Sequence, residues 1–421
     1  VSRDKEIIII QPIGLRMFIR RPFKKNNNYK VLPILRVFIG LFTLVYFTPL
    51  HSQLSDLHYL PPLKQERDNI GFESQAIYLS TPVLTSFTVN VYKGTSTTPT
   101  SSFTLSNASP YVYPLGDGDN NETLVDNAHT GVVISDSGLR FESENGEKFY
   151  VNWRGAQRSQ GSSLTSKGRA ALGKRFRWGG GPVIQGENTN ATLGMMASED
   201  GTTINVFGYD PDIVFRKAND VDGITDDELS ITLDKGESFV LEYPISGLSN
   251  YSDATLYDEW MGASIVSDKD IAVSLGNALY SPTADGSRDI AVDQIIPENV
   301  LGNEYVFVRG YGVDSIEFAI IIATQNGTEI YVNDELTPST TIDAGEYYIV
   351  PGLNYSGSVK GENMYVRTSK QAYAYQSTAG ASSTANVDYN FVAPVNFLLD
   401  SGVDFIPRID DVGPRSTIKG G

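Results

Sequence analysis

Hydrophobic residues after Gln53 occur in short runs, some alternating with polar positions and some continuously apolar. No window of ten or more residues there has a convincing helical period. Gly, Asn, Asp, Ser and Pro clusters separate the runs at short spacing, which is typical of an all-β sandwich or barrel. The clearest predicted strands are Phe87–Tyr92, Lys148–Trp153, Thr202–Val206, Ser238–Leu241, Ile271–Leu275, Tyr305–Val308, Phe318–Ala323, Glu329–Val332, Tyr347–Val350 and Tyr373–Tyr375.

The chain also repeats itself in a fixed order, which indicates an internal duplication. Ala197–Val206 returns as Ala323–Val332, and both copies contain an Asp/Asn-Gly-Thr turn in which Gly201 and Gly327 should adopt positive φ. A more degenerate copy comes earlier. Further matches include Ile231–Val240 with Thr341–Val350, Ile265–Val273 with Val366–Ala374, and Leu172–Phe176 with Leu301–Tyr305.

Three repeats therefore follow an N-terminal region, and units of about 100 residues suit β-sandwiches of immunoglobulin-like size. A β-propeller is the alternative, although its units are usually about 40–50 residues long. The predicted divisions are 1–52 (signal peptide region), 53–71 (linker), 72–178, 179–301 and 302–400 (repeats one to three), and 401–421 (start of a truncated following segment).

The first 52 residues differ in charge from the rest. They carry nine Lys/Arg and two acids, so residues 53–421 have a formal charge of −24 within a total of −17. The apolar run from Val37 to Phe47 follows the basic stretch, as in a secretory signal peptide, and Met17 is a natural start. A retained signal anchor is the alternative. We expect an exported protein that meets the membrane only through its signal peptide.

Composition narrows the possible chemistry. The chain has no cysteine, which excludes disulfides, thiolate metal sites and thiol catalysis. The acidic body argues against nucleic acid as a partner. Only His58 and His129 remain after signal removal, and both are expected in loops. We predict no enzyme activity, and the alternative is an extracellular glycan-degrading hydrolase that uses paired carboxylates.

Several motifs resemble a known family. They are Tyr59–Pro62, Ile77–Pro82, Lys148–Arg154, Ser163–Gly168, Ala171–Phe176, Ala197–Thr203 and Ser267–Val273. Together they resemble the N-terminal region of large surface proteins of gliding-type Bacteroidota, which itself is similar to the N-terminal domain of the IgGFc-binding mucin-like protein. The resemblance covers about residues 57–415. It implies an exported, cell-surface, adhesin-like protein of the kind that is secreted by the type IX system. It also implies that this chain is an N-terminal fragment of such a protein.

One segment of the acidic body is basic. Residues 148–186 contain eight Lys/Arg, two of the three tryptophans and no acid. Arginine beside exposed tryptophan would suit an acidic glycan or an acidic protein patch. The alternative is a seam in which the same cations pair with acids of the neighbouring repeat. The candidate ligand-binding residues are Trp153, Arg154, Arg158, Lys174, Arg175, Arg177 and Trp178.

Two acidic loops could replace missing disulfides by binding calcium, since they cluster oxygen ligands at spacings that Ca²⁺ tolerates. Neither loop matches an EF-hand, so a solvated loop is the alternative. The candidate calcium ligands are Asp117, Asp119, Asp220, Asp222, Asp226 and Glu228.

The sequence as a whole predicts an extracellular, adhesin-like module that binds a glycan or protein partner, such as a mucin-like or acidic surface, without catalysis. Apart from calcium, we expect no cofactor.

Overall fold

The protein is described by a computed structural model, in which nearly all regular structure is β-strand. This confirms the all-β prediction. The described residues lie within one compact unit of the chain. They are 53–64, 74–116, 118, 120–157, 160–181, 190–244, 258–280, 282, 289–382 and 385–396. The predicted signal peptide (1–52) and the segment 401–421 lie outside them.

The first sandwich consists of two four-stranded antiparallel sheets, in the orders β1-β9-β4-β5 and β11-β10-β3-β6. Alternate residues of both sheets, such as Val89, Phe141, Ile77 and Val151, meet in one core. The strands of this region are β1 (Leu57–Leu60), β2 (Leu63–Lys64), β3 (Ser74–Ser80), β4 (Phe87–Lys93), β5 (Ser101–Leu105), β6 (Tyr111–Pro114), β7 (Leu124–Val125), β8 (Val133–Ile134), β9 (Leu139–Ser143), β10 (Tyr150–Gln157) and β11 (Gln160–Thr165).

The second sandwich is built around one long strand. β19 pairs with β12 and β14 along its first part and with β13 and β20 along its second, so it joins both sheets. β8 adds to its edge at β18. The strands are β12 (Gly173–Arg177), β13 (Ala191–Ala197), β14 (Thr202–Phe207), β15 (Phe215–Lys217), β16 (Asp220–Ile224), β17 (Glu228–Leu233), β18 (Ser238–Tyr243), β19 (Ser264–Tyr280) and β20 (Asp289–Gln294).

The third sandwich has the sheets β21-β26-β23-β24 and β25-β22-β27-β28. All six residues of β22 are buried, because Ile321 faces the core of this sandwich whereas Ile320 and Ile322 face the second. A continuously apolar strand is expected where both sheet faces are covered. The strands are β21 (Glu304–Val308), β22 (Phe318–Ala323), β23 (Thr328–Val332), β24 (Thr340–Ile342), β25 (Tyr347–Val350), β26 (Asn363–Thr368), β27 (Ala372–Ser382) and β28 (Ala385–Phe391).

The same pairing order occurs three times. In each sandwich one central strand (β9, β19 or β26) pairs with two neighbours. One neighbour is an edge strand (β1, β12 or β21), and the other is β4, β14 or β23. The described strands form sandwiches and do not close into a propeller. By pairing, β1 belongs to the first sandwich although it falls in the predicted linker. β12 likewise belongs to the second, because it bonds to β19.

The repeated Gly-Thr turns carry their predicted geometry. Gly201 and Gly327 have φ of 62° and 64°. Each turn links strands of opposite sheets and receives the ammonium of a lysine, Lys269 or Lys370, on the carbonyl oxygen just before the glycine. The duplicated sequence therefore forms the same turn twice, and each copy has a lysine that donates to its backbone carbonyl.

The first and second sandwiches approach closely at Gly194 on β13. A Cβ at this position would lie 2.0 Å from the carbonyl oxygen of Pro62. The backbone amide of Lys64 also donates to Thr192 Oγ1 over 3.0 Å. The absence of a side chain at Gly194 thus sets the spacing of the two sandwiches.

We expect Gly194→Ala to lower the free energy of unfolding by about 1–3 kcal/mol, since the new methyl group overpacks a backbone contact. Gly161→Ala is the matched control, because its Cβ would meet only an ordinary contact at 3.6 Å. Urea unfolding of both variants measures the difference. An unchanged midpoint for Gly194→Ala would contradict the close packing.

Candidate functional site

The basic segment 148–186 runs from the first sandwich into the second, and several of its cations pair with acids. Arg169 Nε pairs with Asp56 Oδ1 at 2.7 Å. Arg175 and Arg177 both approach Glu298, with Nε–Oε distances of 3.4 and 3.2 Å. The seam alternative predicts cations paired with acids of the neighbouring repeat, but the structure places Arg175 and Arg177 in the same sandwich as Glu298.

The most buried of these pairs joins Lys167 and Asp293. The Nζ–Oδ1 distance is 2.8 Å, and the two side chains are 6% and 12% exposed. Burial raises the pKa of Asp293, while the Lys167 ammonium acts against that shift. The neighbouring Gln294 accepts from the Lys167 amide and donates to Tyr59 O, so the network ties β20 to the first sandwich.

The predicted ligand-binding residues do not form one exposed surface. Trp153 and Trp178 are buried, so the expectation of exposed tryptophans is wrong. Strand alternation turns Trp153 into the first core, and Trp178 stacks on Trp260 with ring centroids 4.0 Å apart. Lys174 donates to Asp268 O over 2.8 Å. Arg158 lies outside the described residues.

Arg154 is the predicted ligand-binding residue that lies on an outer sheet face away from the ion pairs. Its guanidinium carbon is 4.6 Å from the ring centroid of Tyr78, and its Nε donates to Asn152 Oδ1 over 2.7 Å. Its Nη1 is buried and has no hydrogen-bond partner among the described residues. Arg154 is therefore a half-buried cation with an unused donor.

The predicted calcium ligands are only partly described. Asp117 and Asp119 lie outside the described residues. Asp220 and Asp222 are exposed on β16, and Asp226 and Glu228 are exposed in and after the turn that follows it. No group of three or more His, Cys, Asp or Glu suited to a metal ion occurs among the residues that the structure describes. Calcium binding stays a prediction.

Neither described histidine is arranged for catalysis. His58 was expected in a loop, but it lies in strand β1. Its Nε2 donates to Phe149 O over 2.9 Å. Burial lowers the pKa of His58 to about 4, so the ring is neutral at pH 7. His129 Nδ1 is 2.6 Å from Asp126 Oδ1 in a short 3₁₀ turn that Asp126 caps. Both rings hold local structure.

Two arginine–tyrosine pairs, which the sequence patterns had not indicated, lie on outer sheet faces. Arg140 covers the ring of Tyr92, and Arg367 covers that of Tyr331, each 3.9 Å from the centroid. Both pairs join the same two strands of the repeat, since each arginine lies directly opposite its tyrosine. In the second sandwich, the positions of Tyr331 and Arg367 are occupied by Asn205 and Val266, which lie opposite each other. The pairs become visible only once the strand register is known.

The third sandwich also exposes an apolar end. Val306 and Val308 on β21 are 48% and 55% exposed, and Tyr311 and Val313 in the next loop are 53% and 41% exposed. The ammonium of Lys360 lies 4.1 Å from the ring centroid of Tyr311. An apolar strand face with aromatic and cationic neighbours is typical of a protein contact surface.

Replacing Lys167 by Met should lower the free energy of unfolding by about 3 kcal/mol, because it leaves the Asp293 carboxyl buried without its cation. The second substitution Asp293→Asn should restore much of the loss. Arg175→Met removes the same charge from a 62%-exposed pair and should cost less than about 1 kcal/mol. Denaturant unfolding compares the three. Equal losses for Lys167→Met and Arg175→Met would contradict a buried seam.

Comparisons with known proteins place the chain in a family. Residues 161–411, more than half of the 421, match the family model described as IgGFc binding protein. The match begins in β11 and covers the second and third sandwiches. No curated protein and no solved structure matches the chain. No helix in the described part of the chain is long and apolar enough to cross a membrane. On the family match, this chain belongs to the IgGFc binding protein family.

Proposed function

We propose that the protein is an extracellular, adhesin-like binding module without catalytic activity, and that its partner is a protein. The family description, which refers to binding the Fc part of IgG, supports this proposal. Export through the predicted signal peptide and display on a Bacteroidota surface by type IX secretion belong to the same proposal, and a mucin-like glycan is the alternative partner. Export rests on the charge and hydrophobicity of residues 1–52, and the surface display rests on the sequence resemblance.

The Arg367–Tyr331 pair is the observation that supports a contact surface most directly. Arginine and tyrosine are enriched at the energetic centres of protein interfaces. Stacking holds the guanidinium over the ring, so little side-chain freedom is left to lose on binding. Tyr331 Oη donates to Glu329 Oε2 over 2.7 Å, which fixes the ring further. A preorganised pair on an outer sheet face suits a protein partner.

The hydrolase alternative gains no support from the described carboxylates. Glu242 is buried and bound by Arg216 at 2.6 Å, and Glu317 accepts from the amides of Gly310 and Gly312. A described cavity of the first sandwich is lined by apolar residues and Thr123, without a carboxylate. No observation selects two acids as a catalytic pair.

We expect the double variant Tyr331→Ala/Arg367→Ala to bind an immobilised IgG Fc fragment at least about tenfold more weakly than the wild type. Surface plasmon resonance measures the dissociation constants, and circular dichroism checks the fold. Asn205→Ala is the matched control, since it occupies the same strand position where the pair is absent. Equal binding by the double variant would reject this surface. Lack of binding by the wild type would reject the Fc partner.

A further inference from the structure

The contact between successive sandwiches uses the same element twice. In the first sandwich, the residues just after edge strand β1 rest on the second sandwich, with Pro62 O against Gly194. In the second, the residues just after edge strand β12 rest on the third. Gly179 lies so close to Tyr375 that a Cβ would be 2.3 Å from the ring. We call these residues, together with the last residues of the edge strand, the docking end of a sandwich.

The strand register identifies the docking end of the third sandwich. Leu57, Arg175 and Glu304 are equivalent, because they lie opposite Glu142, Val266 and Arg367. The carbonyl just before each of them accepts a hydrogen bond from the residue after its partner, which is Ser143, Ser267 or Thr368. Four positions further along the chain are Pro61, Gly179 and Val308. Pro61 and Gly179 are buried, whereas Val308 is 55% exposed.

The surface that receives a docking end is also repeated. It is the outer face of the sheet that contains β3, β13 or β22, and we call it the receiving face. In the second sandwich the row Val240, Gly194, Ser274, Gln294 crosses it, and every member is buried. In the third sandwich the corresponding row is Ile349, Ile320, Tyr375, Phe391. The last three are buried, and Ile349 on the edge strand β25 is 39% exposed.

The first sandwich leaves its receiving face partly exposed. The corresponding row is Val112, Tyr78, Asn152, Thr165. Val112 is 46% exposed, and the other three are half-buried. Arg154 lies on the same face, and its Nη1 has no hydrogen-bond partner among the described residues. Within the described part of the chain, nothing covers the docking end of the third sandwich and no docking end rests on the receiving face of the first.

We propose that copies of this chain associate head to tail, with the docking end of the third sandwich resting on the receiving face of the first sandwich of a second copy. The interface would continue the pattern that already joins the three sandwiches within a chain. Exposed apolar side chains occur on both surfaces, since the docking end carries Val308 and Val313 and the receiving face carries Val112. The proposal does not depend on the partner proposed above.

A head-to-tail contact is heterologous, so an assembly that does not close into a ring has one free surface at each end. Two variants block the two sides separately. Val306→Lys/Val308→Lys blocks the docking end, and Arg154→Glu blocks the receiving face. Leu336→Lys is the matched control, because Leu336 is 95% exposed in the third sandwich but away from β21. Circular dichroism and thermal melting check that each variant folds.

Sedimentation velocity of the full chain from about 1 to 500 µM tests the proposal. We expect the wild type and Leu336→Lys to form dimers and longer species as concentration rises, and each blocked variant alone to stay monomeric. An equimolar mixture of the two blocked variants should form a dimer and stop there, since one intact side remains on each. A monomeric wild type, assembly by a blocked variant, or a mixture without dimers would overturn the proposal. Fc binding by a monomeric wild type would leave the proposed function standing while this inference fails.

Discussion

The structure depends on covering the outer face of one sheet in the second and third sandwiches. A β-sandwich hides the inner faces of its two sheets by itself, but the row containing Gly194 and Ser274 is buried by the sandwich before it. β20 shows the consequence. Ile290 and Val292 join the core of the first sandwich, while Ala291 on the opposite face joins the core of the second. Because one strand contributes to two cores, the sandwiches are expected to stabilise one another.

The same burial explains the basic segment. A buried cation is tolerated only when a carboxylate or other acceptor replaces its water. Lys167 meets Asp293, and Arg177 meets Glu298, so a local excess of positive charge in the sequence becomes a set of paired charges in the fold.

The sequence was sufficient for the fold class, because strand runs, turn residues and internal repeats are local signals. The apolar run Phe318–Ala323 was predicted as a strand, and the structure shows that both of its faces are buried. The candidate contact surface was harder to predict from the sequence. Strand period alone does not say whether Trp153 faces the core or the solvent, and the stacking of Arg367 on Tyr331 depends on register between β23 and β26, which lie far apart in the chain. The docking end could be found only by comparing equivalent positions after all three registers were known.

Differential scanning calorimetry of the full chain is the most direct test of this mutual dependence. If the three sandwiches share strands and buried faces as described, they should unfold in one transition, with a ratio of calorimetric to van't Hoff enthalpy close to one. Two or three resolved transitions would show that the sandwiches are independent domains, and would contradict the account.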